Sequence, residues 1–252
     1  MQDLAVEPLC HPRRSSPLIS TDVKTERRRT EVDLTIIGIC SIVPLALYMA
    51  FNSQIASLTK NPEAHILTRL LSMAVFQFGT AGLGITIVSL FRRESFIKHG
   101  LTSANLPRAI ILSALATLPH LAYRAGTGTL TGYMPFRQVH FTSEILASGF
   151  PVNVIGMAVV ATAWGFFEGF NYAFIHDKIN ELFPPRGVWL NWGAIACGVF
   201  CLLIHGLVGV TPDALVEAVT VFAIIYGMLV VKEQTGNAWG TVFVFLFFWN
   251  AI

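Results

Sequence analysis

Apolar and polar residues occur along the chain in long blocks, and seven of these blocks are apolar. A helix needs about 20 mostly apolar residues to cross the roughly 30 Å hydrocarbon core of a bilayer. The apolar blocks cover residues 32–51, 67–91, 106–123, 150–175, 188–208, 214–231 and 238–252. The pattern predicts an all-α fold, a polytopic membrane helix bundle with about seven transmembrane helices.

The composition agrees with a membrane protein. Hydrophobic residues make up 54% of the chain and charged residues 13%, whereas a soluble domain has about 25% charged residues. The net charge of +2 is too small to favour nucleic acid binding, and the four cysteines are too scattered to indicate a disulfide framework. The predicted partner is therefore the lipid bilayer, with no nucleic acid partner.

The polar N-terminal stretch, residues 1–31, contains six Lys and Arg residues and several Ser and Thr. It is predicted to be a basic, disordered cytoplasmic tail ahead of a transmembrane helical domain over residues 32–252. Its positive charge suits either a topology signal or contact with anionic lipid. With this tail inside, the seven-span arrangement puts thirteen Lys and Arg on the inner side and four on the outer side, as the positive-inside rule requires. We expect a multi-pass protein of the plasma membrane.

Glu168 is the first candidate functional residue, because it interrupts the apolar block 150–175. A carboxylate at the centre of a membrane helix costs about 2.5–3.5 kcal/mol on insertion scales. Such a residue needs a partner or a hydrated pocket. It can serve as a general base or metal ligand, or it can be a protonated group that only helps helices pack.

His205, in the next apolar block, is the predicted partner of Glu168. Cys197, Cys201 and His205 recur every four residues and share one helix face, but they span about 12 Å, too far for one metal ion to bind all three. A metal shared by Cys201 and His205, or a hydrogen-bonded core histidine, are the alternatives. One obstacle to the pairing is depth, since the apolar blocks place the two residues roughly 10 Å apart along the bilayer normal.

Two more ionisable residues lie within the apolar blocks. Glu217 is a second possible partner for His205, and His120 follows Pro119, where we expect a hydrogen bond to a carbonyl that the proline leaves free. The longest outer connection, residues 124–149, is rich in glycine and is either an ordinary loop or a lid. The chain contains no Gly-x-Ser-x-Gly, no His-Glu-x-x-His and no mid-span lysine, which argues against a rhomboid-like serine protease, a zincin and a retinal protein.

Two segments in consecutive blocks resemble motifs of the CPBP family, the intramembrane proteases that include the CAAX prenyl endopeptidases and the bacterial Abi proteins. The family has Glu-Glu-x-x-x-Arg in one span and Phe-x-x-x-His in the next. Here Phe167-Glu168-x-x-x-Tyr172 stands at the first motif. Phe200-Cys-Leu-Leu-Ile-His205 stands at the second.

The third motif of that family, His-x-x-x-Asn or Asp in the last span, resembles the end of this chain. A turn over residues 233–239 leads into an aromatic helix that contains Asn250. The resemblance implies that Glu168 and His205 activate a water molecule and that Asn250 is the remnant of the group that stabilises the oxyanion. It also implies a peptide or protein substrate in the membrane; it identifies no cofactor and no metal ligand.

The same resemblance has three departures. Phe167 replaces one glutamate, Tyr172 replaces the arginine, and Phe245 stands where the last-span histidine would be. Three hypotheses follow: a peptidase that uses Glu168 and His205, a catalytically inactive relative that binds a membrane peptide or a protein partner, and a proton-coupled small-molecule carrier. The two phenylalanines favour the second hypothesis over the first unless Glu217 or His120 supplies the missing polar groups.

Overall fold

The computed structural model of the chain describes residues 17–130, 132–206 and 211–251. Every regular element in these ranges is helical, and the ranges contain no strand, which confirms the all-α prediction. In chain order the helices are α1 (Pro17–Ala50), α2 (Asn52–Thr59), α3 (Ile66–Arg92), α4 (Leu106–Leu115), α5 (Leu118–Gly126), α6 (Thr142–Ala147), α7 (Val152–Leu182), α8 (Trp192–Ile204), α9 (Pro212–Thr235) and α10 (Trp239–Trp249). A short 3₁₀ turn, Phe96–His99, follows α3.

Four of these helices are long and apolar enough to cross a membrane: Lys24–Ala50 within α1, then α3, α7 and α9. Their length and composition indicate a membrane protein. The remaining apolar blocks form shorter helices. Block 106–123 divides into α4 and α5 at Ala116 and Thr117, just before Pro119, because a proline cannot donate the amide hydrogen that would continue the helix.

The structure corrects the predicted tail. Helix α1 begins at Pro17, so residues 17–31 are helical rather than disordered; the rest of the predicted tail, residues 1–16, lies outside the described residues. The basic stretch is compatible with a helix because Arg27 and Arg29 pair with Glu31 and Glu26, at spacings of four and three residues. The tail sequence is polar, but four of its charges pair with one another on the same helix.

Helix α7 also extends beyond its apolar block, from 175 to Leu182. Its last two turns are polar, and an ionic cluster at this end of the bundle neutralises their charges. The Lys178 ammonium is nearly buried and lies 3.2 Å from Asp33, 3.2 Å from Glu94 and 3.6 Å from Glu181. The cluster ties α7 to α1 and to the connection after α3.

Helix α7 is the centre of the bundle, since it packs against α1 on one side and against α8 and α10 on the other. Its approach to α10 is close at Gly169. A methyl group added there would lie 2.9 Å from the Thr241 carbonyl oxygen and 2.9 Å from the Val242 Cα atom. Only glycine allows this contact, which brings the first turns of α10 next to the turn that carries Glu168.

Candidate functional site

The Glu168 side chain is nearly buried, and each of its carboxylate oxygens faces a different partner. Gln77 on α3 donates a hydrogen bond of 2.8 Å from Nε2 to Glu168 Oε2. The imidazole Nε2 of His205, directly after α8, lies 3.9 Å from Glu168 Oε1. The structure therefore brings together the acid and the imidazole that the sequence singled out, and it adds Gln77, which the sequence analysis did not consider.

The depth difference expected between these two residues disappears because the helix ends differ from the ends of the apolar blocks. Glu168 lies 14 residues before Leu182, the last residue of α7. His205 lies 13 residues after Trp192, the first residue of α8. At 1.5 Å per residue the distances from that end of the bundle are about 21 Å and about 20 Å. The polar last turns of α7 account for the change.

A π-helical segment, Ala161–Phe167, directly precedes Glu168. Two more π-helical segments lie at Gly79–Leu83 in α3 and Phe245–Trp249 in α10, and each packs against the segment in α7. Such wide turns inside α-helices are rare and are frequent at functional sites. Three of them in contact mark the region around Glu168 as the irregular part of an otherwise regular bundle.

A cavity of about 280 Å³ lies beside His205, at the end of the bundle where α5, α8 and α10 finish and α9 begins. We call it the His205 cavity. Its polar wall consists of Thr117, His120, Arg124, Gln138, His205, Glu217 and Asn250, and its apolar wall consists of Val221, Ile224, Val244, Phe248 and Trp249. Glu168 does not line the cavity, but its carboxylate lies 3.9 Å from the imidazole of His205, which does.

Asn250 lines the His205 cavity. Its amide Nδ2 donates to the carbonyl oxygen of Trp164 at 3.4 Å, and this bond holds the amide beside the π-helical turn of α7. An amide nitrogen carries two hydrogens. One of them is therefore available for a second acceptor in the cavity.

The long connection after α5 closes one side of the cavity. Its backbone pairs with the end of the chain: the Gln138 amide donates to the Asn250 carbonyl at 3.0 Å and the Met134 amide to the Ala251 carbonyl at 3.4 Å. Phe136 anchors it in the core, with 4% of its surface exposed. These contacts fix the connection against the residues that follow α10 and bring Gln138 into the cavity wall.

His120 and Glu217 both belong to the same wall. His120 Nδ1 lies 3.0 Å from the Thr220 hydroxyl, so its partner is a side chain of α9 rather than the free carbonyl that the sequence suggested. Glu217 lies one turn before Thr220 on α9. The two residues that were expected to supply missing polar groups are thus within the cavity that His205 lines.

The three departures from the CPBP motifs are all packed among aromatic rings. Phe167 contacts Phe78 edge to face at 4.8 Å between ring centroids. Tyr172 stacks on the fully buried Phe245 at 5.4 Å. These positions fill space around the Glu168 turn and supply no polar group to the cavity.

The cysteines of α8 face the core. Cys197 and Cys201 are fully buried, and the Cys197 thiol lies 3.6 Å from the Tyr172 carbonyl oxygen. Within residues 17–130, 132–206 and 211–251, no three His, Cys, Asp or Glu side chains lie close enough together to hold a metal ion. A metal shared by Cys201 and His205 would therefore have no third protein ligand among these residues.

No protein-family model, curated protein or solved structure matches this chain. The resemblance to the CPBP proteases accordingly rests on the motif residues quoted above and remains a prediction. The geometry of Glu168, His205 and the adjoining cavity is independent of that resemblance.

Proposed function

We propose that this chain is a membrane-embedded peptide hydrolase in which Glu168 and His205 activate a water molecule, in the manner of the CPBP proteases that its motifs resemble. The observation that carries the proposal is the 3.9 Å approach of the Glu168 carboxylate to the His205 imidazole at the wall of a polar cavity. Catalytic hydrogen bonds are often longer than ideal before a substrate binds. The distance leaves room for the pair to tighten around water.

In the proposed reaction, the Glu168 and His205 pair removes a proton from water as its oxygen attacks the peptide carbonyl carbon. The resulting tetrahedral oxyanion accepts hydrogen bonds from the cavity wall, where the second amide hydrogen of Asn250 is available. The pair then returns the proton to the amide nitrogen, and the carbon–nitrogen bond breaks. The products are a carboxylic acid and an amine.

His120 and Glu217 support this proposal because the CPBP motifs are incomplete. Phe167 and Phe245 remove two polar groups from the family's pattern, and the loss of one oxyanion donor typically costs about a hundred- to a thousandfold in rate. His120 and Glu217 line the same cavity as His205. They are positioned where they can supply substitute polar groups.

For the topology we propose about seven spans, an N-terminus in the cytoplasm and a plasma-membrane location. The distribution of thirteen Lys and Arg against four supports this orientation. In it, the ionic cluster around Lys178 faces the cytoplasm and the His205 cavity opens at the outer side. Peptides or membrane proteins would then reach the site from the outer side of the membrane.

The proposal is tested by incubating the purified protein with a library of membrane peptides and following cleavage by mass spectrometry. Glu168→Gln keeps the size of the side chain and removes its base. Glu63→Gln, on an exposed turn, is the matched control. We expect cleavage by the wild type and by Glu63→Gln, and its loss in Glu168→Gln. Equal cleavage by all three proteins would exclude Glu168 as the base.

A second candidate function is favoured by Phe245. This side chain is fully buried and stacked on Tyr172, at the position where the family motif has a histidine. A catalytically inactive relative would use the His205 cavity to bind a membrane peptide or partner protein. Saturable peptide binding without cleavage in the same assay would favour this function.

A proton-coupled carrier is supported less well. Such a carrier needs a polar path from one side of the membrane to the other. Between the His205 cavity and the Lys178 cluster lies an apolar cluster of buried residues that includes Tyr172, Cys197, Met228 and Phe245. This packed layer separates the two polar regions.

A further inference from the structure

Two charged residues face the His205 cavity at one level. The contact between His120 on α5 and Thr220 on α9 fixes the register of the two helices. Arg124 follows His120 by four residues, and Glu217 precedes Thr220 by three. Helix α5 ends and α9 begins at this end of the bundle. Arg124 on α5 and Glu217 on α9 therefore each lie about one helical turn beyond the contact between His120 and Thr220, toward the same end of the bundle.

Among the described residues, the Arg124 guanidinium has no counterion. No carboxylate of the described residues lies within 4.0 Å of it, and its Nη2 donates only to the Thr129 carbonyl, at 3.2 Å. Its Nε atom is buried and has no hydrogen-bond partner. A buried donor without an acceptor is costly. The guanidinium therefore has a donor that no described residue satisfies, and Arg124 is one of the residues that line the cavity.

The Glu217 carboxylate likewise has no partner within the part of the chain that the structure describes. It is half-buried, and in the part of the chain that the structure describes it accepts no side-chain or backbone hydrogen bond and forms no ion pair. Arg124 lines the same cavity, yet the two charges do not pair with each other. A cation and an anion thus face one small cavity, and each is available to an opposite charge.

The rest of the cavity suits a small apolar group. Val221, Ile224 and Val244 belong to its apolar wall, together with Phe248 and Trp249. Its volume of about 280 Å³ lies just below the roughly 300–1,000 Å³ of pockets that hold drug-sized ligands. A free amino acid or a dipeptide is of suitable size.

We propose that the His205 cavity binds a small zwitterion with an apolar side chain, a free amino acid or a dipeptide, whose carboxylate pairs with Arg124 and whose ammonium pairs with Glu217. Both ion pairs form at half-buried side chains, and charge-assisted hydrogen bonds are stronger than neutral ones. The apolar side chain of the ligand lies against the wall formed by α9 and α10. Gln138, from the connection after α5, lines the same cavity.

This inference names the ligand of the proposed hydrolase and shares its cavity, but it does not require hydrolysis. If a dipeptide is the ligand, the proposed activity is that of a peptidase for short free peptides. If a single amino acid is preferred, the site binds the product of such a reaction or a ligand of its own. The two proposals can therefore fail separately.

The test measures equilibrium binding to the full-length protein in lipid nanodiscs, in the Glu168→Gln background so that no probe is cleaved. The probes are leucine, leucyl-leucine, N-acetyl-leucine, which lacks the ammonium, and leucinamide, which lacks the carboxylate. We expect saturable binding of leucine or leucyl-leucine, and binding of the two blocked probes at least tenfold weaker. Tighter binding of leucyl-leucine than of leucine would identify the dipeptide as the ligand.

Variants assign each charge to its residue. Arg124→Gln should weaken the binding of leucine at least tenfold and should remove the preference for leucine over leucinamide. Glu217→Gln should remove the preference for leucine over N-acetyl-leucine. Arg108→Gln and Glu63→Gln, which are exposed and outside the cavity, should bind as the unsubstituted protein does. If a Gln variant does not fold, Arg124→Lys and Glu217→Asp replace it and should keep part of the preference.

Two results would overturn the inference. One is equal affinity for leucine, N-acetyl-leucine and leucinamide, because the charges would then play no part. The other is the absence of saturable binding of leucine and leucyl-leucine at millimolar concentration. If the wild type cleaves no peptide but the protein still binds the zwitterion, the proposed hydrolase is rejected and this inference stands.

Discussion

The carboxylate of Glu168 and the imidazole of His205 approach to 3.9 Å although they belong to different helices and are 37 positions apart in sequence. Helix α7 ends and α8 begins at the same end of the bundle. Glu168 lies 14 residues from that end along α7 and His205 lies 13 residues from it along α8, so the two side chains are at the same depth. The carboxylate is held from the other side by Gln77. The pair is thus positioned by three helices.

Gln77→Leu should slow peptide cleavage. The hydrogen bond from Gln77 fixes the orientation of the Glu168 carboxylate, and the base loses its alignment without it. We expect kcat to fall about tenfold with little change in KM. Steady-state kinetics on a cleaved library peptide provide the measurement.

The control for that variant is Gln54→Leu, an exposed glutamine on α2. It should leave both kinetic constants unchanged. If Gln77→Leu raised KM alone, the residue would contribute to substrate binding rather than to positioning of the base.

Gly169→Ala should destabilise the contact between α7 and α10. The added methyl group would lie 2.9 Å from the Thr241 carbonyl oxygen, so one of the helices must shift. Overpacking of this kind costs about 1–3 kcal/mol. We expect a lower thermal midpoint in detergent and, because Glu168 is the adjacent residue, reduced cleavage.

Gly38→Ala on α1 is the matched comparison, since nothing lies within 4 Å of its added methyl group. Alanine is the better helix former by about 1 kcal/mol, so this variant should be as stable as the wild type or more so. An equal loss of stability in both variants would contradict the close-contact explanation.

Lys178→Met should be strongly destabilising. It removes the cation that Asp33, Glu94 and Glu181 share and leaves their carboxylates at the buried end of α7 without this ammonium. Breaking a buried ion pair by removing one partner costs about 3–5 kcal/mol. Thermal unfolding monitored by circular dichroism in detergent measures the loss, and the second substitution Asp33→Asn should restore part of it.

Lys98→Met tests the same chemistry at an exposed position. Lys98 also pairs with Glu94, at 2.5 Å, but its side chain is 53% exposed. Exposed pairs contribute about 1 kcal/mol or less. A larger effect for Lys98→Met than for Lys178→Met would show that burial does not decide the strength of these pairs.

Acidic pH should destabilise the protein by protonating Glu94, one of the carboxylates in the ionic cluster around Lys178. Burial alone would raise the pKa of Glu94, but hydrogen bonds from Lys98, Lys178 and His99 and the charge of Lys178 outweigh it and lower this pKa from 4.5 to about 2. A carboxyl whose pKa is lower in the folded state stabilises the fold above the unfolded pKa. Its contribution should be complete above pH 4.5 and lost as the pH falls toward 2.

The measurement is the thermal midpoint in detergent between pH 6 and pH 3. Glu94→Gln should lower the midpoint at pH 6 and flatten its decline with acid, since the titrating group is absent. Glu63→Gln should retain the decline of the wild type. A wild-type midpoint that does not change over this range would contradict the assignment.

The apolar blocks predicted which parts of the chain are helical because hydrophobic length is a local property. They misplaced the end of α7, since His176, Asp177 and Lys178 look like a loop in sequence. Most of the partners of these residues lie elsewhere in the chain, such as Lys232, which pairs with Asp177. They also placed the start of α1 too late. Both errors concern charged residues whose partners the apolar pattern does not reveal.

The candidate site was predictable only in part for a similar reason. Glu168 and His205 are recognisable because ionisable residues are costly inside an apolar span. Gln77, Arg124 and Gln138 have no such signal: the first is an ordinary polar residue, and the other two lie in or near a loop. Their roles depend on which helices meet, and this is a property of the three-dimensional arrangement.

The wide turn Ala161–Phe167 gives α7 a register offset between its two halves. In a regular α-helix, successive residues are rotated by about 100° about the helix axis. An extra residue inserted into one turn therefore rotates the side chains of all later residues by about that angle relative to the earlier ones. Val154, before the turn, is exposed on the outside of the bundle, while Glu168, directly after the turn, is nearly buried. Deleting a single residue there would swing the acid away from His205 without altering any side chain of the pair.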